Sequence, residues 1–359
     1  MGAGLRYGPK IHRNTRVMKL LDQLILGLVT RWTWRRYPEL VAAFVKRNGH
    51  PPCTAFPRTA NEKFLWRKIF DHDPRFTILS DKLASKAWVA ERVPSLTIPE
   101  ILWRGTDPRT IPESVLHQNV VFKANHSWRT NHFIRDGNFN REEMNKLGQD
   151  WLAKTHGLEA LQWGYFNIPR ELFIEREIEP GPNGLEELKV YTFGDQITRV
   201  VHIGGRFDAI WANVWKPDQN GVLKRSPTPA TVAPPDPSRP LPQEIDEATR
   251  VARVLGQEFD HLRIDLLWDS TRLWFGELTV YNLSGYFPGH SGTNPDSETN
   301  KAWDIRLSAF LCNPPRHVWR SIYARSLARA LQSEQGPQLP SLLAYMTQSA
   351  QPVRPPHAK

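Results

Sequence analysis

Two neighbouring segments in the last third of the chain, residues 262–268 and 272–280, carry the side chains best suited to chemistry. Both alternate apolar and polar residues, which is the pattern of a half-buried strand. The first strand places Arg263 and Asp265 on one face, and the second places Glu277 on one of its faces. The three residues between the segments suit a turn, so the sequence predicts a hairpin that carries carboxylates and a guanidinium.

The register of this hairpin decides which side chains meet. If the turn centres on Thr271, Asp265 lies opposite Glu277 and Arg263 lies opposite Thr279. Two adjacent carboxylates repel each other unless a positive charge lies between them. Oxygen ligands of this kind suit Mg²⁺ bound together with substrate phosphates. The alternative is a cross-strand network of arginine and carboxylates on a solvated sheet face.

Three further charged residues stand where a strand ends or a helix begins. Lys123 ends the apolar strand 120–122 and could reach nucleotide phosphates, although the loop after it lacks the glycines of a phosphate cradle. Lys82 lies at a helix start, and Glu175 follows the apolar strand 172–174, where a carboxylate could accept from an adenine amino group. The alternatives are a lysine reaching solvent, a capped helix start and a loop glutamate.

The composition of the 359 residues restricts the class of protein. Lys and Arg number 47 against 37 Asp and Glu, so the formal net charge is +10 and the pI is about 9.7. Hydrophobic residues make up 40% of the chain, which provides for a sizeable core. Cys53 and Cys312 exclude a disulfide scaffold and a thiolate metal cluster. The positive charge suits nucleic acid, an acidic polymer, a membrane face, nucleotide phosphates or a solvated basic surface.

The N-terminal region indicates helices rather than a membrane span or a signal peptide. Residues 17–29 and 37–45 carry apolar side chains at helical spacing. The most apolar stretch is interrupted by Asp22 and Gln23 and is about half of the roughly 20 residues that a span needs. No small-residue cleavage site follows it. The expected compartment is the cytoplasm, with reduced thiols.

The remaining pattern predicts helices mixed with antiparallel hairpins, which is typical of an α+β fold. Helices are expected at 64–70, from residue 80 or 81 to about 91, and at 142–156, 244–258 and 318–332; strands are expected at 120–122, 172–174, 188–193, 197–203, 262–268 and 272–280. Thr59 and Glu62 have the spacing of a capping box. The proline-rich segment 226–242 cannot form a regular element and is expected to be an excursion within a domain or, alternatively, a domain linker.

The order of these features resembles the TupA-like ATP-grasp family, which is associated with bacterial cell-surface polysaccharide (teichuronopeptide) biosynthesis. The matching segments are Asn61-Glu62-Lys63 with Asp71-His72-Asp73-Pro74, Leu79-Ser80-Asp81-Lys82, Val121-Phe122-Lys123-Ala124-Asn125-His126, Phe173-Ile174-Glu175, Glu187-Leu188-Lys189-Val190-Tyr191-Thr192-Phe193-Gly194, Arg263-Ile264-Asp265, and Phe275-Gly276-Glu277-Leu278-Thr279 with Ser284-Gly285. Together they cover about residues 55 to 290.

The resemblance implies an ATP-grasp fold, in which two α+β subdomains with antiparallel sheets grip the nucleotide. It implies an N-terminal helical region at 1–79, an ATP-grasp domain at 80–312, and a C-terminal helix and tail at 313–359. Within the ATP-grasp domain, about residues 100–175 would form the lid subdomain and residues 176–312 the core subdomain.

The resemblance also implies roles for individual residues. The nucleotide set is Lys82 and Lys123 at the phosphates, Glu175 at the adenine, the backbone of Arg176 to Ile178 as the hinge, Glu187 near the ribose and Arg206 as a further phosphate contact. The catalytic and metal set is Arg263 and Lys123 at the transferred phosphoryl group, and Asp265, Glu277 and Thr279 at Mg²⁺.

The activity that the resemblance implies is an ATP- and Mg²⁺-dependent carboxylate–amine ligase that forms an acyl phosphate and releases ADP. The acceptor would be an amino acid or a sugar of a surface polymer, with no nucleic-acid partner, in the cytoplasm or at the inner face of the membrane near polysaccharide machinery. Trp128 and Arg129 replace small loop residues, and Thr279 replaces a usual asparagine. The alternatives are a nucleotide-binding accessory protein that has lost catalysis and a basic polymer-binding protein that uses its 14 tryptophans.

Overall fold

The computed structural model describes residues 10–206, 208–313 and 316–332, with side chains from residue 19 onward. The chain divides into two compact units. Residues 59–308 form the central unit, and residues 1–58 with 309–359 form the terminal unit. This division into compact units does not test the predicted limits of the ATP-grasp domain, after residue 79 and at residue 312, and these stay predictions. In the described part of the chain, no helix is both long and apolar enough to cross a membrane.

The described part of the chain contains twelve α-helices. Their bounds are α1 Lys10–Arg36, α2 Pro38–Asn48, α3 Ala60–Ile69, α4 Arg75–Ser80, α5 Lys82–Arg92, α6 Glu113–Leu116, α7 Arg141–Ala153, α8 Ile245–Gly256, α9 His290–Thr293, α10 Glu298–Ala302, α11 Ala309–Cys312 and α12 Val318–Gln332. The capping box of Thr59 and Glu62 at the start of α3 is confirmed. Asp81 caps α5 by accepting from the two N–H groups of Leu83 and Ala84, which places Lys82 in its first turn.

Two antiparallel sheets lie in the central unit. Their strands are β1 Ile101–Gly105, β2 Val120–Ala124, β3 Asn131–Ile134, β4 Leu172–Arg176, β5 Glu186–Phe193, β6 Gln196–Gly204, β7 Trp211–Pro217, β8 Leu223–Arg225, β9 Leu262–Trp268 and β10 Leu273–Thr279. The four-stranded sheet has the order β1-β4-β2-β3, and the six-stranded sheet has the order β10-β9-β5-β6-β7-β8. All the pairs among these strands are antiparallel, which agrees with the predicted α+β class.

The four-stranded sheet separates an apolar face from a charged one. Val120, Phe122 and Ala124 pack with Met144 of α7 in one buried cluster. Because successive strand residues point to opposite faces, Lys123 lies on the other side of the sheet. In the register of β2 and β4, Glu175 lies opposite Val121, two residues before Lys123. Glu175 therefore lies on the same face of the sheet as Lys123.

The six-stranded sheet is divided in the same way. Leu188, Val190, Ile264 and Leu266 are fully buried in a cluster that includes the apolar side of α8. The opposite face, called the site face below, carries the alternate residues of the central strands. These are Glu187, Lys189 and Tyr191 of β5, Arg199 of β6, Arg263 and Asp265 of β9, and Glu277 and Thr279 of β10. The core therefore holds one face of the sheet and leaves the other for charged groups.

The proline-rich segment 226–242 has no helix or strand, as predicted. It lies within the central unit, so the alternative of a domain linker is wrong. Backbone groups hold it in place, since the N–H of Ala212 donates to the carbonyl of Pro234 at 2.9 Å. The side chain of Asn213 adds hydrogen bonds to the carbonyl and the N–H of Asp236, at 2.8 and 3.1 Å.

The terminal unit packs its helices around a small core of its own. Leu26 of α1, Phe44 of α2 and Tyr323 of α12 are buried. The Tyr323 hydroxyl donates to the carbonyl of Ala55 at 3.1 Å. The predicted helices at 17–29, 37–45 and 318–332 are confirmed by α1, α2 and α12. The expectation for the last residues of the chain lies outside the described residues.

Candidate functional site

The β9–β10 hairpin brings the predicted residues together, but by a route that the sequence did not predict. Asp265 lies opposite Glu277 and Arg263 opposite Thr279, as predicted. Nearer the turn, the pairs fit a turn centred half a residue earlier than Thr271, and the register shifts at Gly276. Gly276 is thus the extra residue of a β-bulge, which restores the pairing of the carboxylates.

Gly276 is suited to this bulge because there is no room for a side chain. A Cβ atom at this position would lie 2.8 Å from the backbone carbonyl oxygen of Asp265. A contact this short with backbone cannot be relieved by rotating a side chain. The carboxylate pair therefore depends on a glycine that touches one of its members.

Arg263 binds the carboxylates of the hairpin into one network. Its Nε and one terminal nitrogen each donate to Asp265, both at 2.6 Å. The same terminal nitrogen lies 2.9 Å from Oγ1 of Thr279 and 3.4 Å from Oε1 of Glu277. The Asp265 side chain is almost wholly buried, whereas that of Glu277 is 43% exposed. Glu277 is therefore the carboxylate that a ligand can reach.

Lys189 of β5 lies at the centre of the site, and the sequence reasoning gave it no role. Its Nζ donates to Asp265 at 2.7 Å and to Glu187 at 2.8 Å. Arg206 pairs with the other oxygen of Glu187. Lys189 lies directly opposite Asp265 in the register of β5 and β9. The alternation of Lys189 with apolar neighbours in β5 indicates that it lies on the polar face of a strand. This pattern alone does not show that β5 pairs with β9, which is distant in sequence.

The charges of this network shift the pKa values of its members. Burial alone would raise the pKa of Asp265, but Arg263 and Lys189 outweigh it and lower that pKa to about 2. Burial favours neutral Lys189, yet the Asp265 carboxylate raises its pKa above the ordinary value. The pKa of Arg263 is also raised by Asp265 against the effect of burial. All three groups are therefore charged at neutral pH.

A second cluster lies on the four-stranded sheet and joins two lysines to Glu175. Lys123 pairs with one carboxylate oxygen, and Lys86 of α5 lies 3.0 Å from the other. Burial would raise the pKa of Glu175, but the two lysines hold it below its ordinary value. Burial lowers the pKa of Lys86, Glu175 acts to raise it, and the nearby charge of Lys123 lowers it further. The structure thus gives Glu175 two lysine partners, and its expected contact with adenine stays a prediction.

Lys82 connects this cluster to the loop after β2. Its Nζ donates to the carbonyl of Ser127, and its backbone N–H donates to the carbonyl of Asn125 at 3.0 Å. Burial lowers the pKa of Lys82, while Glu277 and Glu175 act to raise it. Lys86 of the same helix links this cluster to the other sheet, because its Nζ lies 5.8 Å from the centre of the Phe275 ring of β10. The lysine cluster therefore adjoins strand β10 of the hairpin, and the roles expected for the phosphate and metal residues stay a prediction.

The loop after Lys123 is shaped by aromatic contacts instead of glycines. The ring of Trp128 meets Tyr165 edge-on at 5.3 Å and His156 at 4.8 Å between centroids. Ser127 and Thr130 join their hydroxyls at 2.6 Å. The substitution of bulky residues for small ones therefore gives this loop a packed conformation.

The predicted hinge lies at the edge of the site. The Arg176 guanidinium lies 3.0 Å from Glu100 and 2.9 Å from the side-chain oxygen of Gln118, and its side chain is half exposed. The N–H groups of Arg176 and Glu177 donate to backbone carbonyls. Among the hydrogen bonds of the described residues, none uses the N–H of Ile178. This leaves a backbone donor at the position where the adenine is expected.

The oxygen groups at the hairpin fit a magnesium ion held jointly with phosphates, and they do not fit a self-sufficient metal site. In the described ranges, no group of three or more His, Cys, Asp or Glu side chains could hold a metal. Asp265, Glu277 and Thr279 supply hard oxygen donors on one face. Mg²⁺ commonly takes one or two carboxylates and completes its shell with water and substrate phosphates.

Comparisons with known proteins identify the family of this chain. The model of the family described as TupA-like ATPgrasp matches residues 62–303, which is about two thirds of the chain. No curated protein matches. The similar solved structures include the ATP-grasp ligase PsnB complexed with minimal precursor, Mg and ADP, at 13% identity and a TM-score of 0.34, covering 64% of this chain and 59% of PsnB. This chain thus spans less than two thirds of PsnB.

Two other solved structures illustrate the range of similar proteins. D-alanine–D-alanine ligase from Bacillus anthracis is 16% identical with a TM-score of 0.31, over 72% of this chain and 70% of that one. N5-carboxyaminoimidazole synthetase from Staphylococcus aureus is 13% identical with a TM-score of 0.34, over 56% and 44%. The family match rests on sequence and includes both sheets of the central unit. The chain belongs to the TupA-like ATP-grasp family and has the α+β ATP-grasp fold.

Proposed function

We propose that this protein is an ATP- and Mg²⁺-dependent ligase that activates a carboxylate and joins it to an amine. One observation carries the proposal. The hairpin that pairs Asp265 with Glu277 adjoins α5, whose Lys86 lies 5.8 Å from the Phe275 ring of β10 and 3.0 Å from Glu175 in the lysine cluster of the other sheet. A nucleotide needs both features, because its triphosphate requires cations and its magnesium ion requires oxygen ligands.

In the proposal, different residues of the site bind the phosphates, the magnesium ion and the nucleoside of ATP. Lys82, Lys123 and Lys189 are the phosphate cations of the proposal, and Asp265, Glu277 and Thr279 would hold Mg²⁺. When bound, the ion supplies neutralisation of the charge on the phosphate oxygens. Asp265 is already ionised below neutral pH, so no proton has to leave it before it acts. Glu187 and Ile178 belong to the expected ribose and adenine ends.

The proposed reaction has two transfers. A substrate carboxylate oxygen attacks the γ-phosphorus of ATP, and the bond to the β-phosphate oxygen breaks to release ADP. An amine nitrogen then attacks the acyl carbon, phosphate leaves, and the nitrogen loses a proton. Arg263 lies beside both hairpin carboxylates and is placed to stabilise the oxygen charge that develops in each step. The proposed acceptor is an amino acid or a sugar in surface polysaccharide biosynthesis.

The decisive experiment measures nucleotide binding and ADP release by the full chain with ATP, Mg²⁺ and pools of carboxylates and amines. Wild type should bind ATP and release ADP in the presence of both pools. Glu277→Ala should lose turnover by on the order of a hundredfold or more. Glu298→Ala is the matched control, because Glu298 forms an exposed ion pair with Lys216 away from the hairpin. No ATP binding by wild type would contradict the proposal, and equal turnover in Glu277→Ala would contradict the metal assignment.

A nucleotide-binding accessory protein without catalysis is the second candidate. The observations that favour it are the threonine at position 279 and the packed loop around Trp128. This candidate gives ATP binding with no ADP release from any pool. Restoring the usual residue with Thr279→Asn would then be expected to leave the protein inactive, whereas a weakened enzyme would gain activity.

A further inference from the structure

One row of side chains crosses the site face from β10 to β6. Thr279 is paired with Arg263 across β10 and β9. Arg263 is paired with Tyr191 across β9 and β5, and Tyr191 is paired with Arg199 across β5 and β6. Because neighbouring strands lie about 4.8 Å apart, the backbones at Arg263 and Arg199 are separated by roughly 10 Å. Two guanidinium groups thus lie in one row, with a tyrosine between them.

Arg199 has aromatic neighbours where the other cations of the site face have carboxylates. Its guanidinium carbon lies 4.1 Å from the centre of the Tyr191 ring and 5.0 Å from that of Phe287. The Nε atom is buried, and no described residue accepts from it. Arg263, Lys189 and Arg206 each pair with Asp265 or Glu187.

The electrostatic surroundings of Arg199 confirm this difference. Burial lowers its pKa, Tyr191 raises it in part, and the nearby charge of Arg263 lowers it further. Among the described residues that affect this pKa, none is an aspartate or glutamate. An arginine stays protonated even so. The chain therefore keeps a half-buried positive charge on the site face, and none of the described residues that affect its pKa is an aspartate or glutamate.

We propose that Arg199 binds a second, non-reacting carboxylate of the acid substrate. The proposal rests on the ligase function above and names the class of substrate as a compact dicarboxylic acid. Arg263 lies beside the metal-binding pair and serves the carboxylate that is activated, while Arg199 lies two strands away and serves the other. The Arg199 guanidinium lies over the rings of Tyr191 and Phe287, and in this proposal its outer nitrogens donate to one carboxylate of the substrate.

The test compares two matched pairs of acids with the full chain: glutarate with its monoamide, and glutamate with glutamine. Wild type should prefer the diacid by on the order of tenfold or more, in ADP release and in calorimetric binding. Arg199→Met keeps the apolar packing and should remove this preference with an unchanged KM for ATP. Arg199→Lys should restore part of it. Arg225→Met is the control, because Arg225 also lies over an aromatic ring, that of Trp215, but is outside the site face.

The outcomes separate the subsite from the ligase function. Equal binding of diacid and monoamide by wild type would overturn the subsite, and so would an Arg199→Met variant whose only change is a higher KM for ATP. Failure to bind ATP would instead contradict the ligase function. Direct calorimetric titration with glutarate still tests the subsite in that case, because it needs no turnover.

A second inference rests on two features of the terminal unit, its excess of positive charge and its exposed apolar side chains. Residues 1–58 and 309–359 hold 17 Lys and Arg against 3 Asp and Glu, whereas residues 59–308 hold 30 against 34. The whole positive excess therefore lies in the terminal unit. The central unit has a net charge of −4.

The terminal unit also exposes a continuous apolar stripe. Leu20, Leu24, Leu28 and Trp32 follow one another at four-residue spacing along α1, and the three leucines are 58% to 60% exposed. Residues at this spacing lie on one side of a helix. The Trp32 ring contacts the half-exposed Trp319 of α12 at 5.0 Å, which extends the stripe onto a second helix.

The geometry points to this stripe as a surface that binds an anionic lipid bilayer. Leucines with tryptophan on one face and cations around them are the composition of helices that lie in a membrane interface. Arg35 and Arg36 at the end of α1 are exposed and are suited to lipid phosphates. A protein partner of ordinary composition would not need the net charge of +14 that this unit carries.

Vesicle co-sedimentation of the full chain tests this surface. Vesicles of phosphatidylglycerol with phosphatidylcholine should bind wild type, and phosphatidylcholine alone should bind at least tenfold less. Leu24→Glu with Leu28→Glu should reduce binding by a similar factor, and Leu158→Glu, at an exposed leucine of the central unit, should not. Equal binding to both vesicles, or concentration-dependent self-association that the double variant abolishes, would overturn the inference.

Discussion

At the scale of single residues, the position of Gly276 makes the carboxylate pair sensitive to one methyl group. Gly276→Ala places a Cβ against the backbone carbonyl of Asp265. We expect a loss of about 1–3 kcal/mol in the free energy of unfolding, because the bulge must shift to relieve the contact. Urea unfolding measures this loss, and calorimetry should show weakened binding of Mg²⁺ with ADP.

Gly221→Ala is the matched control for this variant. Gly221 has a positive φ angle and open space around it, so alanine there costs about 1 kcal/mol of backbone strain without a clash. Nucleotide binding should be unchanged in the control. A Gly276→Ala protein that binds Mg²⁺ and ADP as wild type does would show that the bulge is not needed for the site.

The charge on Asp265 makes the stability of the hairpin depend on acid pH. Its pKa of about 2 lies below the ordinary 3.8, so the ionised carboxylate contributes about 2 kcal/mol above pH 4, and this is lost as the pH falls from about 4 to about 2. Lys189→Met removes one of its cations and should reduce stability at pH 7 by about 1 kcal/mol or more. The difference between wild type and variant should shrink as the pH falls through this window.

Urea unfolding at pH 7, 4 and 3 measures the difference. Lys216→Met is the control, since Lys216 pairs with the exposed Glu298, and it should change stability by less than about 1 kcal/mol at each pH. A difference between wild type and Lys189→Met that stays constant with pH would mean that Lys189 acts through packing and not through the Asp265 charge.

At the scale of elements, α3 fixes the open end of the β9–β10 hairpin. Arg67 is fully buried and pairs with Asp260 at 2.7 Å. Its two terminal nitrogens also donate to the carbonyls of Val280 and His261, both at 3.0 Å. Val280 directly follows Thr279 at the end of β10, and His261 directly precedes β9, two residues before Arg263. Arg67, in the helix that carries the segment Asn61-Glu62-Lys63, therefore holds the strands that carry the site.

Removal of Arg67 should be among the most destabilising changes in this unit. Arg67→Met leaves Asp260 buried with its Trp303 partner at 2.7 Å but without a cation, which typically costs about 3–5 kcal/mol. A double-mutant cycle with Asp260→Asn measures the coupling. The double variant should be less destabilised than the sum of the single ones. Additive losses would indicate that the backbone hydrogen bonds of Arg67, and not its ion pair, hold the hairpin.

Elements and pairings determined by contacts between residues close in sequence could be predicted, and those determined by contacts between distant residues could not. The hairpin pairs Asp265 with Glu277 over a short turn, so alternation and the turn were sufficient to predict it. The pairing of Lys123 with Glu175 and of Lys189 with Asp265 depends on strands more than 50 residues apart, and nothing local specifies which strands pair. The short helix α4 and strands β1, β3, β7 and β8 were not predicted, because they are short or lack clear alternation.

Helix limits were predicted where caps are present. The helix expected to reach residue 156 ends at Ala153, which places His156 in the loop that packs on Trp128. The helix expected to begin at residue 80 or 81 begins at Lys82, since Asp81 caps it and Ser80 belongs to α4. Capping residues therefore identified the start of α5 to within one or two positions, while the polar end of α7 gave no comparable signal.

At the scale of the whole molecule, the net charge of the chain does not show where the positive charge lies. The division into two units shows that the excess belongs to the terminal unit. A charge of +10 spread over one surface suggested nucleic acid or another polyanion as a partner. Several tryptophans that a base-stacking surface would need are buried, including Trp211, Trp215, Trp268 and Trp303. The polyanion attraction of this protein is therefore expected from the cations of the terminal unit and not from a stacking groove.

Binding of duplex DNA, used as a generic polyanion, tests this localisation through its salt dependence. The slope of log K against log salt counts the phosphates that cations neutralise, at about 0.9 for each. Arg35→Gln with Arg36→Gln in the terminal unit should therefore make the slope shallower by about 1–2. Lys224→Gln with Arg253→Gln removes two exposed cations from the central unit and should leave the slope unchanged. Equal changes in both double variants would mean that the polyanion contacts both units. A tight complex without salt dependence would instead indicate that DNA binds through base stacking on aromatic side chains.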